Sequence, residues 1–168
     1  SRESSPHDEL PAEESAAIIR SHVIGGIELA RRYRLPDVIR DFIPQHHGTR
    51  LITYFYHKAA GEGTLDQAPF RYPGPLPQLA EHAIVMLADS CEATVRANQP
   101  LSNEQIETVV DEIFAERISE GQLDECDLSM SQLRVVAESF KSTLQAVHHP
   151  RIEYPESRRE ELQRSADA

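Results

Sequence analysis

The stretch "PAEESAAIIRSHVIGGIELARRYR", residues 11–34, has the pattern of one long amphipathic helix. It opens with Pro11 and two glutamates in the first turn, which suit the positive end of a helix dipole. Apolar residues at intervals of three and four predict one wide buried face: Ile18, Ile19, Val23, Ile27 and Leu29. Gly25 and Gly26 each cost about 1 kcal/mol relative to alanine inside a helix, so another segment should approach closely there.

A second helix is predicted from Pro36 to about His47. Its apolar residues share one side, which we expect to face inward: Val38, Ile39, Phe42 and Ile43. Pro44 lacks the backbone N–H that the last turn would use, so a kink is expected there. Gly48 then ends the helix as a C-terminal cap.

Four further helices are predicted, at about 50–60, 77–98, 102–119 and 129–148. Ser102 with Gln105, and Ser129 with Gln132, fit the capping box, in which side chains bond the free N–H groups at a helix start. No stretch alternates polar and apolar residues for more than a few positions. The pattern therefore predicts an all-α bundle of about six helices.

The remaining segments are not helical in pattern. Residues 61–77 hold three glycines and four prolines and predict a loop, either ordered or mobile. Residues 150–155, "PRIEYP", are expected to lie extended across the bundle, anchored by Ile152 and Tyr154. Residues 156–168 are polar on every face and predict a frayed or disordered tail. We therefore assign residues 1–155 to a single domain.

Composition excludes several classes of partner. The net charge is -11, and residues 99–168 hold 15 acidic against 7 basic side chains, which would repel DNA or long RNA but not a small anion met by local cations. No apolar run approaches the roughly 20 residues of a membrane helix, so these 168 residues are not expected to insert into a bilayer.

Cys91 and Cys126 lack zinc-site or disulfide spacing, and we interpret both as reduced cytosolic thiols, with Cys91 in the core.

His46 and His47 stand side by side where the second helix ends. Adjacent side chains project about 100 degrees apart on a helix, so both can bind one ion only where the backbone turns, and Gly48 supplies that turn. With His22 and Asp89 they form a nitrogen and oxygen set suited to Mn, Fe or Zn. The alternatives are a core histidine at position 22, a solvated histidine pair, and an aspartate buried against a cation of another helix.

Six stretches resemble a known family: "PAEESAAIIRSHVIGGIELARRYRLP", "DFIPQHHGTRLITYFYHKA", "YPGPLPQ", "AIVMLADSCEATVR", "GQLDECDLS" and "HHPRIEYP". Together they resemble the intracellular HD hydrolase domain of the seven-transmembrane HD receptors, which are bacterial membrane proteins. The resemblance extends from about His7 to Pro155.

The resemblance implies an HD-type helical bundle that binds metal. His22, His46 and His47 would bind one ion of a binuclear pair, with Mn or Fe as the favoured metals, and Asp89 would bind the other. The implied activity is a metal-dependent phosphodiesterase that hydrolyses cyclic di-AMP to the linear dinucleotide. The implied location is the cytosolic domain of an integral inner-membrane protein, with a second copy of the chain left open as a partner.

One family feature is missing from this sequence. HD enzymes need an upstream histidine and then a His-Asp doublet whose aspartate bridges both ions. The only His-Asp pair here, His7 and Asp8, follows a proline in a polar stretch and not an apolar helix. We therefore expect the sequence to begin after the true doublet, to lack the family's N-terminal helices, and to be inactive by itself; its catalytic residues stay unassigned.

The candidates for substrate contact are Tyr54, Arg50, Arg71 and Tyr72. Tyr54, like Tyr56, could stack on adenine, although aromatic residues at helical spacing are more often core residues. An arginine in or near the Pro/Gly-rich loop could meet a phosphate. Among the other histidines, we expect His82 at the surface or partly buried, and His148 and His149 at the negative end of the last helix.

Two alternatives to this activity stay open. The chain could be a non-catalytic helical module that transmits a receptor signal or mediates dimerisation, as the missing doublet and the acidic helices would allow. It could also act on another nucleotide, such as guanosine tetraphosphate or a dNTP.

Overall fold

The computed structural model describes His7 and residues 9–148, and this part of the chain is all-α. Its helices are α1 Ala12–Arg32, α2 Asp37–Arg40, α3 Phe42–Gln45, α4 Thr53–Ala60, α5 Ala80–Ala97, α6 Asn103–Ser119 and α7 Met130–His148. A short 3-10 helix, Ala68–Phe70, follows α4. The predicted fold class is thereby confirmed. None of the helices in the described part is long and apolar enough to cross a membrane.

The prediction of one continuous second helix is wrong, because the segment divides into α2 and α3 at Asp41. Pro44 has no N–H to donate to the carbonyl of Arg40, four residues earlier, so the break falls one turn before the expected kink. Val38 and Ile39 are 63% and 51% exposed and do not face inward as predicted. The chain therefore reaches the two adjacent histidines through the short helix α3.

Helix α1 buries a narrower face than predicted. Its buried residues are the small ones plus one valine: Ser15, Ala16, Val23 and Ala30. Ile18 and Leu29, predicted to be buried, are 45% and 54% exposed, because α3, α4 and the 3-10 helix pack on the side with the small residues. The close approach is confirmed at Gly26, where a Cβ would lie 2.9 Å from Ile43 Cγ2, but not at Gly25, which has nothing within 4 Å.

Two apolar cores hold the bundle. One joins α1, α4 and the 3-10 helix and contains Ala16, Phe55, Tyr56 and Phe70. The other joins α5, α6 and α7 and contains the buried Cys91, as predicted. Both predicted capping boxes are confirmed: Ser102 and Gln105 bond each other's backbone N–H at the start of α6, and Ser129 and Gln132 do so before α7.

The Pro/Gly-rich segment at 61–77 packs against the bundle through several contacts. Phe70 is fully buried, and the Tyr56 hydroxyl donates to the carbonyl of Leu65 at 3.2 Å. An isolated antiparallel bridge pairs Leu51 with Arg71. These contacts return the chain to the end of α3, where the adjacent histidines lie.

Several predictions fall outside the described residues. They concern Asp8 of the His-Asp pair, His149, the anchors Ile152 and Tyr154, and the tail at 156–168.

Candidate metal site

The structure brings the three predicted histidine ligands together. His22 comes from α1, and His46 and His47 lie in the bend after α3. One ligating nitrogen from each ring lies within 4.8 Å of the others, and the Nε2 atoms of His22 and His47 are 3.1 Å apart. His22 is exposed and so is not a core histidine. The side of the cluster formed by α1 therefore faces solvent.

Backbone carbonyls orient two of the rings. The Nδ1–H of His22 donates to the carbonyl of Ile19 at 2.5 Å, and that of His46 donates to the carbonyl of Ile43 at 2.7 Å. A carbonyl can only accept, so each Nδ1 carries the proton and each Nε2 keeps a free lone pair. This is the arrangement that prepares a histidine to bind a metal through Nε2.

His47 is held between two rings. It stacks on Tyr72 with ring centroids 4.2 Å apart and lies 3.9 Å from the ring of His46. Burial lowers the pKa of His47 to about 3, and the neighbouring His46 and His22 add to the effect. The ring is therefore neutral at physiological pH, as a metal ligand must be.

Asp89 lies beside this cluster, but it is not the buried charge that its sequence context suggested. Its side chain is 46% exposed, and its Oδ2 is 3.9 Å from Nδ1 of His47. Because His47 is neutral, the two residues do not form an ion pair at physiological pH. The alternative of an aspartate buried against a cation of another helix is therefore wrong, and the exposed carboxylate is free to reach an ion.

The four candidate substrate residues separate into two groups. Tyr72 stacks on His47, and Arg50 donates to Ser90 Oγ at 2.9 Å and lies near enough to contribute to the lowered pKa of His47. Arg71 donates to the carbonyl of Thr49 and to Gln67. Tyr54 is 70% exposed on α4 and packs edge-on against Phe55. Arg50 and Tyr72 therefore adjoin the histidines, and the other two do not.

Tyr56, the alternative adenine contact, belongs to the core. The prediction that His82 lies at the surface or is partly buried is wrong, because the residue is only 2% exposed. It packs edge-on against Phe42 with centroids 4.4 Å apart. The error arose because periodicity assigns His82 to α5 without showing that α3 covers that side of the helix.

Sequence reasoning missed two buried glutamines next to the cluster, Gln45 and Gln122. Gln45 immediately precedes the adjacent histidines, and its Oε1 accepts from the backbone N–H of Gln78 at 2.8 Å. Gln122 lies in the turn between α6 and α7 and contacts the backbone just after the histidines. A single polar residue has no periodicity, so only the neighbouring residues could have indicated these two. Gln45 begins the motif "QHHG", and Gln122 follows a glycine in a turn.

The donor set fits a divalent ion. Three imidazoles with a nearby carboxylate suit borderline metals such as Mn, Fe and Zn. Ligands at about 2.1 Å from one ion lie roughly 3–4 Å apart, so nitrogens within 4.8 Å need only small ring rotations to share it. Nδ1 of His47 has no hydrogen-bond partner among the residues that the structure describes, and it lies 3.9 Å from Asp89 Oδ2.

Comparison with known proteins identifies relatives of the whole described region. The chain is 42% identical over 153 residues to the cyclic-di-AMP phosphodiesterase PgpH of Bacillus subtilis, and 38% identical over 154 residues to PgpH of Listeria monocytogenes. These matches cover 90% and 91% of this chain but 22% and 21% of the relatives, so the chain spans about a fifth of their length. No protein-family model matches the chain.

Two solved structures share its fold. The crystal structure of the L. monocytogenes PgpH HD domain superposes with a TM-score of 0.84 at 36% identity, covering 89% of this chain and 70% of that one. The same domain in complex with cyclic di-AMP gives a TM-score of 0.83 at 38% identity, covering 89% and 71%.

Proposed function

The chain belongs to the family of PgpH HD domains, and from that membership we propose that it is part of a metal-dependent phosphodiesterase that hydrolyses cyclic di-AMP to the linear dinucleotide. The observation that carries the proposal is the convergence of His22, His46 and His47, whose nitrogens lie within 4.8 Å of one another. The cyclic di-AMP bound to a relative of the same fold supports the choice of substrate.

The three histidines would hold one divalent ion, with Mn or Fe as our first choices, and Asp89 would hold a second. Metal bound there supplies Lewis acidity: it lowers the pKa of a bound water and polarises a phosphodiester oxygen. The chain's contribution is preparation of the ligands. His22 and His46 are fixed by their Nδ1–H bonds to carbonyls, and His47 is kept neutral by burial.

Arg50 and Tyr72 are the residues that we propose contact the substrate. Burial lowers the pKa of Arg50, but an arginine remains charged, so its guanidinium places a positive charge near His47. Burial also raises the pKa of Tyr72, so its phenol keeps a proton to donate. A guanidinium and a phenol beside the ligands suit a phosphodiester anion. Arg71 and Tyr54 remain predicted substrate contacts, but they do not adjoin the histidines, and their positions do not favour this role.

We propose that hydrolysis belongs to a longer protein. An HD enzyme needs a bridging carboxylate from a His-Asp doublet, and the resemblance assigns that doublet to a segment outside these 168 residues. In this proposal residues 1–155 are the C-terminal part of the HD domain, on the cytosolic side of a membrane protein. The 168-residue chain alone would bind metal without cleaving substrate.

The test is hydrolysis by the longer protein purified with Mn(II). Cyclic di-AMP should be opened to the linear dinucleotide, and chelation or a His46→Ala substitution should abolish the reaction. A panel of cyclic di-AMP, guanosine tetraphosphate and dNTPs would identify the preferred nucleotide. Intact cyclic di-AMP after incubation with the metal-loaded longer protein would refute this substrate, and no cleavage of any nucleotide in the panel would favour the non-catalytic signalling module.

A further inference from the structure

We infer that Gln122 is a positioning residue for the metal site, because it holds the backbone corner that lets His46 and His47 converge. The inference rests on the proposed function, since it concerns how those histidines would present their nitrogens to an ion. Gln122 lies 73 residues from the corner it contacts, in the turn between α6 and α7, and is only 2% exposed.

The corner is an unusual piece of backbone. Helix α3 ends at Gln45, the two histidines bend away from it, and Gly48 adopts a φ of +53°, which favours glycine. The N–H of Gly48 donates to the carbonyl of Gln45 at 3.1 Å. The N–H of Arg50 donates to the carbonyl of His47 at 3.2 Å. Adjacent side chains on a regular helix diverge by about 100°, whereas the two rings that precede this glycine have centroids 3.9 Å apart.

Gln122 fills the space that the glycine leaves open. A Cβ on Gly48 would lie 2.4 Å from Gln122 Oε1 and 2.8 Å from Met86 Cε. The same Oε1 accepts from the backbone N–H of Thr49 at 3.0 Å, and Nε2 of Gln122 donates to the Thr49 hydroxyl at 3.1 Å. Both ends of the amide are therefore used on one residue, two positions after His47.

These bonds fix the segment that follows the histidines in the chain. Before the histidines, the Gln45 side chain accepts from the backbone N–H of Gln78. After them, Arg71 donates to the Thr49 carbonyl, but among the described contacts only Gln122 bonds the N–H and the hydroxyl of Thr49. Without Gln122, Thr49 and the ring of His47 gain freedom that a bound ion must remove. Loss of outer partners of metal ligands typically weakens binding by about 10- to 100-fold.

The test is Co(II) binding to the 168-residue chain and to Gln122→Met, which keeps the length of the side chain and removes both bonds. We expect Co(II) affinity to fall by about tenfold or more and the visible absorption spectrum to change, because the ligand geometry changes. Gln132→Met is the matched control. Gln132 also accepts from a backbone N–H, that of Ser129 at 2.9 Å, but at the start of α7. It should lower thermal stability without altering Co(II) affinity or spectrum.

Thr49→Val keeps the inference testable if Gln122→Met does not fold, since it removes one of the two bonds at nearly constant volume. It should weaken Co(II) binding by a smaller factor than Gln122→Met does, because one of the two bonds remains. Unchanged affinity and spectrum in the folded variants would overturn the role of Gln122 while leaving the metal site intact. A wild-type chain that binds no Co(II) would instead overturn the metal site itself, and this inference with it.

Discussion

The Nε2 atoms of His22 and His47 lie 3.1 Å apart although 25 residues separate them along the chain. Because the Nδ1–H of His22 donates to a carbonyl, its Nε2 can only accept, and His47 must donate through its own Nε2–H. A metal ion between the rings would need both lone pairs. With its Nε2 lone pair given to an ion, His47 would carry its proton at Nδ1, which lies 3.9 Å from Asp89 Oδ2.

Removal of one imidazole should weaken metal binding strongly. We expect His46→Ala to lower Mn(II) affinity by at least about tenfold, because the Nε2 that its carbonyl-bonded ring presents is lost. Isothermal titration of the 168-residue chain measures this. His57→Ala is the control, since His57 is an exposed histidine on α4. Equal affinities for the two variants would remove His46 from the site.

Gly48→Ala should destabilise the fold. Gly48 has a φ of +53°, so the substitution carries the left-handed backbone penalty of about 1–2 kcal/mol. A Cβ there also meets buried atoms, at 2.4 and 2.8 Å. Urea unfolding should therefore show a further loss of about 1–3 kcal/mol beyond the backbone penalty, as in overpacked cores. A loss no larger than the backbone penalty would mean that the side chains of Gln122 and Met86 move aside at little cost.

Much of this fold was predictable because helix ends have local causes. The Ser/Gln capping boxes at 102 and 129, the glycine at 48 and the prolines of residues 61–77 all act through near neighbours, and the helices begin and end close to the predicted bounds. The convergence of His46 and His47 was predicted from an equally local feature, two adjacent histidines at a helix end.

The errors concern contacts between distant segments. Ile18 and Leu29 were expected inside and His82 near the surface, and each assignment failed because periodicity does not show which neighbour covers a helix. Gln122 was missed because its bonds join positions 73 residues apart. Asp89 was predicted to join the histidines, and its carboxylate does lie beside them, although the sequence could not show that it is exposed.

His82→Leu should stabilise the protein. The ring is buried, and neither of its nitrogens has a hydrogen-bond partner within the part of the chain that the structure describes. A buried polar group without a partner costs about 1–3 kcal/mol, and leucine has a similar volume and would keep the packing against Phe42. We expect the free energy of unfolding to rise by about 1 kcal/mol in urea titrations. A loss of stability would indicate that the ring has a partner, such as a bound water.

Cys91 should be chemically inert while the protein is folded. Burial raises its pKa from 9.0 to about 12, so the reactive thiolate is scarce near neutral pH. Because the folded pKa is the higher one, the stability that this thiol contributes is present below pH 9.0 and is lost as the pH rises toward about 12.

Single-thiol variants measure this difference with a thiol reagent at about pH 8, where only the thiolate reacts. Cys126→Ser leaves Cys91 and should react only as fast as the protein opens. Cys91→Ala leaves the half-buried Cys126 and should react faster. Rapid labelling of Cys91 in the folded chain would contradict its place in the core.

Tyr72→Ala and Tyr72→Phe should separate two roles of one side chain. The ring stacks on His47 at 4.2 Å, so its removal should let His47 rotate and weaken Mn(II) binding by about tenfold, whereas phenylalanine keeps the stack and the affinity. In the longer protein, Tyr72→Phe should lower the affinity for cyclic di-AMP because the phenol can no longer donate to a phosphate. Titrations of metal and of nucleotide report the two effects separately. If alanine leaves the Mn(II) affinity intact, the stack does not position His47; if phenylalanine leaves nucleotide binding intact, the hydroxyl does not contact the substrate.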